Sequence, residues 1–192
     1  MPDIKTVGAI INVDGRFAFM FRRNGKTKHL NIVRLGGHVE ENESAIEALR
    51  RELMEEAKLE VDIVSAPIQL ERRHWYARSK RRSEQVVAGK VPLLLKGWGR
   101  DNPSLIYLCY ANETPVPDHE TFGIVLLRKE DVVQLCKGPL FIREFLLRGG
   151  QLITQGEIND LEVLEAGPHV KFLRDLLENE PELMNKFIQR LL

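Results

Sequence analysis

The order of segments predicts an α/β domain followed by a helical C-terminal extension. Three observations carry that reading. Two apolar runs flank Asp14-Gly15 in "TVGAIINVDGRFAFMFRRNG", the pattern of a β-hairpin closed by a two-residue turn. From Glu43 to about Ala57 the apolar residues Ile46, Leu49 and Leu53 recur at helical spacing. Beyond residue 138 the chain reads mostly as amphipathic helix.

The elements follow in order. After the hairpin, "NIVRL" reads as a strand running into a tight turn at Gly36-Gly37. Asn42 or Ser44 is placed to cap the next helix. "LEVDIVS" suits a further strand, and weaker strand patterns lie around 68–76 and 91–97, the second ending near a turn at "GRDNP". "SLIYLCYAN" is apolar throughout, as a fully buried strand would be. "ETPVPDHETFG" is a loop, because two prolines exclude regular structure, and "IVLLRKEDVVQL" passes from strand to short helix. "PLFIREFLLRGG" reads as a helix stopped by two glycines, and the last stretch as one or two helices broken at Pro181. Residues 1–138 are thus expected to form one domain, with 139–192 a helical extension packed on it.

Composition narrows the function classes. The 192 residues are 43% hydrophobic and 29% charged, ordinary values for a globular protein able to bury a core. Formal net charge is zero, so no overall basic field points to nucleic acid. The N-terminus lacks a signal-peptide pattern and no run reaches membrane-spanning length, so the expected location is cytoplasmic with no membrane partner. Cys109 and Cys136 sit in apolar stretches and are expected to be reduced thiols. Charge is uneven along the chain: "RRHWYARSKRR" is strongly basic, and the segment after Glu157 is acidic on balance.

"GGHVEENESAIEALRRELMEEAKL" crowds like charges onto one helix. At ~100° per residue, Glu56 lies about 40° from Glu52, and Glu55 about 60° to the other side. Their carboxylates therefore share one sector beside the apolar stripe, with Ala45 and Ala48 leaving room in it. Carboxylates so placed repel, more strongly when partly buried. A hard divalent cation would relieve the repulsion. Pairing with Arg50, Arg51 and Lys58 on a solvated face is the alternative.

The spacing resembles the signature box of the Nudix hydrolases. Gly37, Glu43, Arg51, Glu52, Leu53, Glu55, Glu56 and Leu59 stand at its fixed positions. Lys58 replaces the glycine that ends the family's helix, and Leu35 replaces the proline that often precedes the glycine pair. The departure at Lys58 bears on how the helix ends rather than on the acids. The resemblance implies a Nudix-type α/β/α sandwich with a mixed β-sheet. It also implies a Mg²⁺- or Mn²⁺-dependent hydrolase that cleaves the pyrophosphate linkage of a nucleoside diphosphate derivative.

Residue by residue, the resemblance implies that Glu52, Glu55 and Glu56, with the Gly37 carbonyl, hold the metal. Arg51 would lock the carboxylates and Glu43 would support them. Glu52 is the first choice for the base that takes the proton of the attacking water, and Glu120 is the candidate for a distal catalytic acid. In the basic segment, Arg72 and Arg73 are candidates to contact phosphate, and Trp75 and Tyr76 to stack on a base. Two other readings stand beside this one. One is a nucleotide-sensing Nudix domain that does not cleave. The other is an RNA 5′-end pyrophosphohydrolase using the basic segment. The C-terminal helices offer either a cover for the cleft or a homodimer seam.

Overall fold

A computed structural model describes residues 3–23, 28–99, 102–119 and 121–192. In chain order the elements are β1 (Thr6–Val13), β2 (Arg16–Arg23), β3 (His29–Val33), α1 (Ala45–Ala57), β4 (Asp62–Val64), β5 (Gln69–Arg72), β6 (Lys80–Arg82), β7 (Leu94–Lys96), β8 (Ser104–Ala111), β9 (Gly123–Leu127), α2 (Lys129–Lys137), β10 (Leu140–Phe141), α3 (Ile142–Leu147), β11 (Gln151–Thr154), β12 (Val163–Ala166), α4 (Pro168–Asn179) and α5 (Pro181–Ile188).

The hairpin forms where the sequence places it. Asp14 and Gly15 both take positive φ (49° and 77°), the geometry that lets a two-residue turn follow the twist of its strands. Asn12, fully buried, stiffens that end. Its Oδ1 accepts from the Gly15 N–H at 2.8 Å, and its amide donates to the carbonyls of Phe187 (2.7 Å) and Ile188 (3.1 Å) at the end of α5.

The sheet is mixed, and β2 explains its shape. On one edge β2 pairs antiparallel with β1 along its first half and with β3 along its second. Its other edge pairs with β9. β1 and β3 therefore diverge and leave a gap between them. β8 runs parallel to β1 over the full length of both strands, and β12 runs parallel to β3. One face buries Val7, Ile11, Leu105 and Tyr107 against Leu49 and Leu53 of α1. The other buries Phe17, Phe19 and Ile106 against Phe172, Leu173 and Phe187 of α4 and α5, with α2 on the same side. The result is an α/β/α sandwich of mixed sheet.

Three local expectations change. Residues 139–192 are not only helical, since they also supply β10, β11 and β12. These pieces are too short for their alternation to stand out in sequence. The strand expected around 68–76 stops at Arg72, and the basic Lys80–Arg82 forms β6, an outer strand paired with β5. Charged side chains on such an edge discourage pairing with another chain. Ala45 and Ala48 are buried in the core and do not open room beside the glutamates.

The C-terminal helices belong to the core. At about 1.5–3 kcal/mol for each large apolar side chain removed from water, fully buried Phe172, Leu173, Met184 and Phe187 make a substantial share of the stabilisation. Arg72 fastens α4 from below. Its guanidinium donates to Asp175, Ser79 and the Trp75 carbonyl, each at 2.8 Å, and lies over the Phe172 ring at 4.5 Å. Removing one partner of a buried ion pair leaves the other desolvated and unpaired. Arg72→Ala is therefore expected to lower the unfolding free energy by about 3 kcal/mol, read from urea denaturation.

Candidate active site at the glutamate-rich helix

Ser44 starts α1 with a capping box. Its hydroxyl accepts from the Glu47 N–H at 3.3 Å, and the Glu47 carboxylate accepts from the Ser44 N–H at 2.9 Å. At the other end Lys58 does what a glycine would do. It takes the left-handed conformation (φ 48°, ψ 38°), its N–H reaches the Met54 carbonyl at 3.1 Å, and the Leu59 N–H reaches Leu53 at 3.2 Å. A non-glycine residue there costs roughly 1 kcal/mol. Its ammonium is at 2.6 Å from the Asp118 carboxylate, whose pKa that contact lowers. The same loop donates its Val116 N–H to the Ala57 carbonyl (2.8 Å) and its Asp118 N–H to the Glu56 carbonyl (3.1 Å). The end of the helix is thus capped by a distant loop.

The glycine pair brings the helix against the sheet. Gly36 has φ +116°, and a Cβ there would overlap the Val7 carbonyl and Gly8. A Cβ on Gly37 would overlap the Glu52 carboxylate. Only bare backbone fits between β1 and α1. The Gly37 carbonyl accepts from the Val7 N–H at 2.9 Å and keeps a second lone pair. The Gly36 N–H donates to Glu56 at 2.7 Å.

Arg51 distributes the acids. Its guanidinium grips Glu43 through two bonds of 3.0 Å, reaches Glu52 at 3.0 Å and Glu55 at 3.3 Å, and donates to the His38 carbonyl at 3.0 Å. Glu56 stands outside that clamp, with the nearest cation, Arg22, 4.0 Å away. Burial pushes its pKa up to about 7, helped by the charge of Glu52 and opposed by the Gly36 N–H, Arg22 and Arg34.

A cleft of about 570 Å³ opens here, lined by Gly37, Glu52, Glu55, Glu56, Arg22 and Arg34 among others. All four residues expected to hold a metal line it. Arg51 and Glu43 fix those acids, and His119 and Thr121 reach the same cleft. Glu120, the candidate distal acid, lies outside the described residues. The alternative of a solvated, self-paired face accounts only for Arg51. Lys58 pairs with the loop instead.

The candidates from the basic segment lie elsewhere. Arg72 is 3% exposed and spent on Asp175, so the expectation that it contacts substrate gives way to a structural role. Arg73 is exposed, Tyr76 is 71% exposed, and Trp75 packs edge-on against His169 at 4.3 Å. None of the four lines the glutamate cleft.

Sequence reading missed Arg34. It is the fourth residue of "NIVRL", where it passes for the polar end of a strand. Its side chain lies over Gly8 of β1, and burial lowers its pKa to about 10 against the pull of Glu56 and Glu52. The signal that could have found it is the pairing of a glycine within an apolar strand with an arginine beside the double glycine.

The donors suit a hard divalent cation: carboxylate oxygens and a carbonyl with a free lone pair. Glu56 is partly buried with its charge only partly offset, which such a cation would correct. Among the described residues no three His, Cys, Asp or Glu side chains already stand grouped for a metal, because Arg51 draws Glu52 and Glu55 toward itself.

Glu56 sets a pH dependence. Its folded pKa, about 7, lies above its ordinary value of 4.5. Its contribution to stability is therefore full below the ordinary value and is lost as pH rises through about 7. In EDTA, the wild type is expected to melt lower at pH 8 than at pH 5, and Glu56→Gln to flatten that slope and raise Tm at pH 8. Thermal melts across the range check this.

The sequence model of the NUDIX domain matches residues 2–148. Comparison with curated proteins gave no match. Among solved structures, the chain resembles a NUDIX-family hydrolase from Clostridium perfringens at 18% identity, covering 68% of this chain and 85% of that one with TM-score 0.43. It also resembles a C. elegans Ap4A hydrolase binary complex (16% identity, 68% and 84% covered, TM-score 0.44) and the MutT protein from Methanosarcina mazei Go1 (18%, 68% and 80%, TM-score 0.44). With the domain match spanning most of its length, this chain belongs to the Nudix family of hydrolases.

Proposed function

We propose that the protein hydrolyses the pyrophosphate linkage of a nucleoside diphosphate derivative with the help of Mg²⁺ or Mn²⁺. The observation that carries this reading is one cleft in which Glu52, Glu55, Glu56 and Gly37 meet two arginines, Arg22 and Arg34. Carboxylates to hold a cation and guanidiniums to hold phosphate oxygens are the two things a pyrophosphate site needs.

Glu52, Glu55, Glu56 and the Gly37 carbonyl are the groups that would hold the metal. When bound, it would supply neutralisation of the phosphate charge and a lower pKa for the attacking water. Arg34, pinned over Gly8, and Arg22 orient the phosphate oxygens. Arg51 holds Glu43, Glu52, Glu55 and the His38 carbonyl together, which keeps the acids aligned. Glu52 takes the proton of the water, with Glu120 the alternative base.

RNA is the weaker partner. The basic segment spends Arg72 on Asp175, Arg81 on Glu180 and Arg82 on Glu71, which leaves less charge for a nucleic-acid backbone. Among the described residues no helix is long and apolar enough to cross a membrane.

With Mg²⁺ or Mn²⁺, the protein is expected to release a nucleoside monophosphate from at least one member of a nucleotide-derivative panel. Glu52→Gln should lower kcat by about 10²–10⁴-fold with the fold intact by circular dichroism. Binding of the panel without cleavage by the wild type would leave the nucleotide-sensing reading in its place.

A further inference from the structure

Thr6 of β1, Ser104 of β8 and Lys96 of β7 are direct neighbours across three strands. They point to the face covered by α4, as do their register partners Ile106 and Leu94 one step further. Arg34 lies over Gly8, the next position of β1 on that face. This corner holds unusually many unmet polar groups. The Arg34 Nε, the Ser104 Oγ and the His169 Nδ1 are all buried without a hydrogen-bond partner. Arg34 is 9% exposed and Ser104 1%.

Arg34 feels the charges of Glu56 and Glu52 from across the cleft, but no carboxylate among the described residues pairs with it at contact distance. Among the same residues Lys96 finds only the Asn102 carbonyl at 2.9 Å and the Trp75 ring at 5.9 Å. Each cation is close enough to lower the pKa of Lys96 or His169, although burial is the larger cause for both groups. The first turn of α4 adds to this. Gly167 sits on the Ile32 carbonyl at the end of β3, just before Arg34, and no side chain caps the helix. Pro168 has no N–H and the Gly167 N–H is spent on Ile32, so the donors left in this turn are the His169 and Val170 N–H groups, with the positive end of the helix dipole behind them. Trp75, edge-on to His169, forms an aromatic wall.

We propose that Arg34, Lys96, Ser104 and the first turn of α4 form a second oxyanion subsite that takes a phosphate group on the part of the substrate beyond the scissile pyrophosphate. Two cations, an unpaired hydroxyl donor and helix N–H groups are a complete set for a phosphate. Arg34 lines the glutamate cleft as well, which puts the subsite next to the reaction. Which molecule brings the phosphate rests on the hydrolase reading; the subsite itself does not.

Trp98→Phe leaves Trp75 as the sole tryptophan reporter. Titrating that protein with inorganic phosphate in EDTA should give a saturable change in Trp75 emission. Lys96→Met should weaken it at least tenfold, Lys96→Arg should retain it, and Glu55→Gln should leave it unchanged, all at wild-type Tm. No saturable change, or equal affinity in Lys96→Met, overturns the subsite even if the panel is cleaved. Saturation without any cleavage upholds the subsite while the hydrolase reading fails. Where cleavage occurs, Lys96→Met should raise KM but not kcat for substrates with a phosphate on the distal group, and spare those without one. Weakened phosphate binding with KM unchanged for both classes overturns the assignment to the substrate's distal phosphate and leaves a site for free phosphate only.

Discussion

Bare backbone between β1 and α1 is the constraint on which the site depends. At Gly36 and Gly37 the chain passes so close to Val7, Gly8 and the Glu52 carboxylate that any side chain would collide. That closeness lets a backbone N–H reach Glu56 and lets the helix lean its acids over the gap where β1 and β3 diverge. The gap follows from the way β2 shares one edge between two strands. Sheet topology, turn chemistry and the position of the carboxylates are thus one arrangement seen at three scales.

Electrostatics then decides what each acid does. Arg51 meets Glu43, Glu52 and Glu55 together, so three of the four box acids are held by one guanidinium. Glu56 lacks that clamp and is the one whose proton affinity rises. The structure therefore separates acids that are aligned from an acid whose charge is costly. On the far side of the gap, Arg34 is a buried cation without a hydrogen-bonded carboxylate. A cluster of acids facing an under-satisfied cation across a cleft is the charge pattern that the proposed metal-assisted cleavage of a pyrophosphate requires.

Much of this was legible in the sequence because it is local. Hairpin, capped helix and glutamate spacing each depend on residues within a few positions, and each was readable. So was the question at Lys58, which adopts the conformation of the glycine it replaces. The parts that were not legible depend on long-range placement. Arg72 looks like a surface cation until α4 packs on it and Asp175 takes its charge. Arg34 looks like a strand terminus until β1 places Gly8 beneath it. β11 and β12 are strands only because β9 and β3 offer open edges, and four residues carry too little pattern to announce that.

The replacement at Lys58 also ties the helix to a distant loop. The loop before Glu120 satisfies two carbonyls at the end of α1 and anchors its Asp118 to the lysine ammonium. Lifting that loop would strip the helix of its cap and break an ion pair at once. The loop up to Asp118 and the end of α1 are therefore one hydrogen-bonded unit, joined by two backbone bonds and an ion pair.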